Sequence, residues 1–106
     1  MDLQLPDAID SYVRAENSGD IDALSEFFVP YGTVRDDEEY YEGRPAIKAW
    51  KAKSHDHQLT PLEISTSPGN ATLKAQLSGD FPGSPVTAEY HFAIVGDQIA
   101  SLQIRC

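Results

Sequence analysis

The second half of the chain consists of alternating runs separated by short turn signals, and few folds accept that pattern. "ATLKAQLSG" sets Leu73, Ala75 and Leu77 on one side, and "VTAEYHFAIV" does the same with Val86, Ala88, Tyr90, Phe92 and Ile94. "IASLQIR" alternates Ala100, Leu102 and Ile104 with Ser101 and Gln103. A period of two is that of a strand with one buried face. The segments between the runs, "PGN", "DFPGSP" and "GDQ", are too short to hold a crossover helix. Strands joined in this way form an antiparallel meander. An earlier run, "LTPLEIST", is interrupted by Pro61, which suits an edge strand or a bulge.

The first half follows a helical period instead. Pro6 fits a first helical turn. From there to Asn17, Ile9, Tyr12, Val13 and Glu16 keep the period, with Ile9, Tyr12 and Val13 on one face. Gly19 is placed to end this helix and Asp20 to cap the next. The second helix has Ala23, Leu24, Phe27 and Phe28 as its expected buried stripe, with Pro30 and Gly32 ending it. "TVRD" reads as a short strand and "YYEG" as its returning partner. Pro45 opens a third helix, "PAIKAWKAKSH", with Ile47 and Trp50 on one face and the lysines on the wet side. Helices first and strands second is the α+β pattern. A curved antiparallel sheet wrapped around three helices, with a cavity at its open end, packs these elements economically. The sheet face left uncovered is expected to pair two copies into a homodimer.

A chain of 106 residues is the size of one domain, taken as 1-106. The net charge of −9 repels phosphate backbones and anionic lipid, so neither nucleic acid nor membrane is an expected partner. No apolar run nears the ~20 residues that cross a bilayer, and the acidic start "MDLQLPDAID" is unlike a signal peptide, so a cytoplasmic location is expected. The one cysteine, Cys106, stands at the chain end, where it offers neither a disulfide nor a thiolate metal site. His55 and His57 flank Asp56 in "SHDHQ", read as the frayed end of the third helix, and His91 is distant. No third ligand converges with them, so no metal is expected. His91 should point to the sheet face opposite Tyr90.

"TVRDDEEYYEG" holds four consecutive acids, from Asp36 to Glu39. Alternation puts Val34 and Asp36 on one side and Arg35 and Asp37 on the other. If Val34 faces the core, Asp36 faces the cavity, where a partly desolvated carboxylate can act as a base. The alternative is a solvated turn throughout. Tyr40 and Tyr41 could cover the mouth, and only one of them can face in. Tyr12 and Tyr90 each lie on an apolar face, as core aromatics with a satisfied hydroxyl or as pocket-lining donors.

"YVRAENSGDIDALSEFFVPYGTVRD", followed by the "G-x-x-A-I" that opens the third helix, resembles the SnoaL-like and ketosteroid-isomerase-like proteins of the nuclear transport factor 2-like superfamily. The likeness extends over nearly the whole chain and implies their cone-shaped, cystatin-like fold. That fold hosts isomerases, cyclases, dehydratases and plain binding proteins. In ketosteroid isomerase a first-helix Tyr donates to an oxyanion and a later Asp shuttles the proton. Tyr12 and Asp36 stand at the matching positions, 24 residues apart. The enzyme's second oxyanion donor is an Asp before "HF", and Tyr90 takes that place here in "YHF". A Tyr hydroxyl can also donate, but Tyr is much larger than Asp and is expected to shrink the cavity, which argues against a steroid-sized substrate. The resemblance implies a pocket wall of Phe28, Val34, Trp50, Phe92 and Leu102.

Three readings follow. The first is a cofactor-free isomerase or cyclase acting on a small apolar or carbonyl-containing ligand, with Asp36, Tyr12 and Tyr90 as its chemistry. The second is a module that binds such a ligand without chemistry, and the third is a purely structural dimerisation domain.

Overall fold

The computed structural model describes residues 4–53 and 57–105. Helix α1 spans Asp7–Ser18, α2 Ile21–Glu26 and α3 Arg44–Lys53. Six strands, β1 (Phe28–Asp36), β2 (Glu39–Glu42), β3 (His57–Ser67), β4 (Asn70–Gly79), β5 (Val86–Val95) and β6 (Gln98–Arg105), form one curved, unclosed sheet in the order β2-β1-β6-β5-β4-β3. β3 to β6 form the antiparallel meander that their alternation demands. β1 joins β6 in parallel, a pairing made available because the connection through α3 takes the chain from β2 at one sheet edge to β3 at the other.

The local signals account for most boundaries. Gly19 closes α1 in the left-handed region, with φ 76°, where a side chain would be strained. The Asp20 carboxylate accepts from the Ala23 N–H at 3.1 Å and so caps α2. Pro6 is the N-cap of α1 itself, one residue before the first turn. Pro61 lies in the edge strand β3, where the pairing with β4 shifts between Pro61 and Glu63, so edge and bulge occur together.

Three sequence expectations are corrected. Phe28 belongs to β1, because α2 stops after Glu26 and Phe27 is its C-cap. Pro30 and Gly32 therefore lie inside β1 and do not end a helix. Residues 29–32 drop out of register with β6, which is how the strand tolerates a proline. Gly32 is needed there because a Cβ would meet the Phe28 Cβ and the Val29 carbonyl oxygen at 3.0 Å. "SHDHQ" is not a helix end throughout, since the backbone of His57 and Gln58 already pairs in β3. In β6 the buried residues are Ile99, Leu102 and Ile104, without Ala100. Ala93 pairs with Ser101 and Ile94 with Ile99, so Ala100 is an extra residue that shifts the alternation by one. His55 and Cys106 fall outside the described residues.

The helices cover one face of the sheet. Ile9, Tyr12, Leu24, Ile47 and Trp50 from the helices meet Phe28, Val34, Leu73, Tyr90, Phe92, Ile99 and Leu102 from the strands in a single buried cluster. Asn17 fastens α1 to the sheet edge: its amide donates to the Leu59 carbonyl oxygen at 3.0 Å, and its carbonyl oxygen accepts from the Leu59 N–H at 2.7 Å. No described helix is long and apolar enough to cross a membrane.

Candidate functional site

The site is built where α1, α3 and the β1–β2 hairpin meet beneath β5. Val34 is fully buried and Arg35 exposed, so alternation turns Asp36 toward the helices, where it is half-buried. Asp36 Oδ2 accepts from the Trp50 indole N–H at 3.0 Å. The next three acids are exposed. Asp36 pairs with Glu39 across a two-residue turn, and Asp37 takes φ 56° there, a conformation that a short acidic side chain tolerates. Asp36, Asp37, Glu38 and Glu39 line an open concavity of about 600 Å³.

Of the two tyrosines that follow, Tyr41 faces in. Its ring lies 6.3 Å from that of Trp50 and its hydroxyl donates to Glu39. That hydrogen bond holds the Tyr41 hydroxyl above its ordinary pKa. Tyr40 faces out beneath the Arg35 guanidinium, 5.5 Å from its ring centroid.

Tyr12 lies at the centre of an aromatic cluster, with ring centroids at 5.5 Å from Phe92, 6.2 Å from Tyr90 and 6.3 Å from Phe28. Val34 pairs with Leu102 across β1 and β6, and Leu102 with Phe92 across β6 and β5. The residues expected to form the pocket wall are thus all members of the buried cluster, with Phe28 and Phe92 against Tyr12. Burial pushes the Tyr12 hydroxyl well above its usual pKa, and the nearby Glu16, Tyr90 and Asp36 push it the same way. Tyr90 and Asp36 are therefore each within electrostatic reach of Tyr12, which stays protonated.

Two further members were not expected. The Tyr12 hydroxyl donates to Glu16 Oε1 at 2.7 Å, one helical turn along. Lys51 Nζ donates to the same oxygen at 2.9 Å. The Glu16 side chain is 2% exposed and that of Lys51 only 9%, which corrects the expectation that all lysines of α3 lie on the wet side. The ammonium also sits 4.8 Å from the centre of the Trp50 ring. A faint signal was present: Glu16 continues the period of the buried face of α1, and an acid in that position requires a buried cation.

His91 occupies the outer sheet face, near Thr72 Oγ1 at 3.2 Å and Glu89 at 3.4 Å. A shallow groove of about 470 Å³ on that face is lined by Leu62, Ile64, Thr72, Lys74 and Glu89, among others.

No family model and no curated protein matches the chain. Solved structures do. A provisionally named polyketide cyclase from Sinorhizobium meliloti is 39% identical, with 95% of each chain covered and a TM-score of 0.90. A Catenulispora acidiphila protein of ketosteroid isomerase-like fold, solved with trimethylamine, is 21% identical over 97% of this chain and 87% of that one, at a TM-score of 0.87. The epoxide hydrolase/cyclase-like enzyme SalBIII, of pyran ring formation in the polyether salinomycin, is 18% identical over 92% and 85%, at 0.82. The chain belongs to the SnoaL-like proteins of the nuclear transport factor 2-like superfamily.

Proposed function

We propose that this chain binds a small, uncharged carbonyl compound beside Asp36 and moves a proton α to its carbonyl, as a cofactor-free isomerase or cyclase. The observation that carries the reading is the state of Asp36. It is the one acid of its run turned inward, and the Trp50 N–H holds one carboxylate oxygen and so orients the other. Such a carboxylate can take an α proton while the C–H electron pair moves onto the carbonyl oxygen. Returning the proton to another carbon completes an isomerisation. Attack of the enolate carbon on a second carbonyl, followed by protonation of the new alkoxide, completes a cyclisation. In this reading the hydroxyls of Tyr12, redirected from Glu16, and of Tyr90 serve as donors to the developing oxyanion. The acids lining the concavity disfavour anionic substrates. The polyketide cyclase name of the 39% identical relative supports a substrate rich in carbonyls.

Asp36→Asn tests this reading, because the amide keeps an oxygen for the Trp50 N–H while losing the base. Conjugation of a panel of β,γ-unsaturated ketones, followed by ultraviolet absorbance, is expected to be accelerated by the protein and to slow by about 10²–10⁴-fold in the variant. Equal rates for the two proteins would overturn it.

One observation favours a second reading, in which the ligand is bound without turnover. The Tyr12 proton is already engaged by Glu16. That reading expects ligands to raise the melting temperature equally in the protein and in Asp36→Asn. The outer face, with Leu62 43% exposed, is proposed to pair two copies, as light scattering of an eluting peak at dimer mass would show.

A further inference from the structure

We propose that Lys51 is a positioning residue shared by both halves of the site, aligning Tyr12 through Glu16 and Asp36 through Trp50. The inference deepens the reading just given and rests on it. Four contacts carry it. Lys51 Nζ meets Glu16 Oε1 at 2.9 Å, and that same oxygen takes the Tyr12 hydroxyl at 2.7 Å. The same ammonium lies 4.8 Å from the centre of the Trp50 ring, and the Trp50 N–H reaches Asp36 Oδ2 at 3.0 Å.

The first branch works through charge. A carboxylate with 2% of its side chain exposed stays ionised only with a compensating cation, and an ionised Glu16 is the acceptor that fixes the direction of the Tyr12 O–H. The second branch works through the ring face. A cation over the indole is attracted by the negative face of the ring, holds the ring plane and so fixes where its N–H points. Lys51 and Trp50 are neighbours on α3, so neither branch depends on a loop, and the two meet at one atom. When a substrate oxygen draws the Tyr12 hydroxyl away from Glu16, Lys51 leaves the buried carboxylate compensated.

The chain has one tryptophan, so its indole N–H gives a single, unambiguous resonance. Tyr12 can be followed by a carbon label at Cζ, assigned by its loss in Tyr12→Phe. Glu16→Gln is expected to move the Tyr12 signal and to leave exchange of the indole proton with solvent unchanged. Lys51→Met is expected to move the Tyr12 signal and also to speed indole exchange about tenfold, with Lys51→Arg recovering most of both. The double variant Lys51→Met/Glu16→Gln, which removes both charges of the pair, keeps the test available if the single variant does not fold, and should show fast indole exchange.

Indole exchange at the wild-type rate in Lys51→Met or in the double variant overturns the shared role. So does Glu16→Gln speeding exchange as much as Lys51→Met, which would report general loosening. These signals need no substrate, so they decide the role of Lys51 whether or not Asp36→Asn bears out the catalytic reading. Given turnover, Lys51→Met should lower kcat at least about tenfold with KM little changed, and Lys51→Arg should restore it.

Discussion

Helix α3 sends two lysines to neighbouring helices, and the two ion pairs differ in everything but distance. Lys48 meets Asp22 at 3.1 Å with side chains 47% and 82% exposed, while Lys51 meets Glu16 at 2.9 Å with side chains 9% and 2% exposed. Water already serves the first pair, so its Coulomb energy is screened and its net worth is small. The second has given up most of its water, so each charge depends on the other, with the Tyr12 hydroxyl adding a hydrogen bond to Glu16. A lysine's position in the helical period does not distinguish the two cases. The neighbour it finds across the helix interface does, and here that neighbour lies 35 residues earlier in the chain.

The sharpest way to break this contrast is to remove the buried cation. Lys51→Met is expected to cost about 3–5 kcal/mol, read as a lower urea midpoint, with the double variant Lys51→Met/Glu16→Gln recovering much of it. A cost as small as that at Lys48 would erase the distinction. Tyr12→Phe comes next, since it removes a donor from a buried carboxylate, at about 1.5–3 kcal/mol in the same experiment.

The same substitution carries a pH signature. The folded state holds the Tyr12 proton above the hydroxyl's ordinary pKa of 10.0, so it binds more protons than the unfolded chain in that range. The resulting stability is complete below that pH and falls as pH rises through the folded value, so urea midpoints should drop above about pH 10 in the native protein and less steeply in Tyr12→Phe. Asn17→Ala should cost about 1–3 kcal/mol, because it leaves both backbone groups of Leu59 without their amide partner. Lys48→Met closes the series at under ~1 kcal/mol, and a larger loss would show that exposure misjudges the pair.

The limits of sequence reading fall along similar lines. The meander was legible because Leu73, Ala75 and Leu77 oppose Tyr90, Ala88 and Val86 through unbroken alternation, and because Gly69 and Gly96 mark turns at positive φ. Asp20 and Gly19 were legible because caps are local chemistry. The extra residue at Ala100 was not, since a bulge changes no composition and is fixed by partners on β5 and β1. Phe28 was misread because a helical stripe and a strand start look alike over two phenylalanines. Within the site, Val34 identified the inward side of β1, and Asp36 followed from it. The Glu16–Lys51 pair was missed because each residue alone is most often solvated. Only their packing across α1 and α3 makes them one unit.

The Asn17 clasp has a consequence for how this chain behaves among its own copies. β3 is the last strand on its side of the sheet, and the Leu59 N–H and carbonyl oxygen engaged by Asn17 belong to the row that an incoming strand from another molecule would use. With that rung occupied by a side chain and Pro61 two residues further along, this edge offers an incoming strand fewer free backbone groups to pair with.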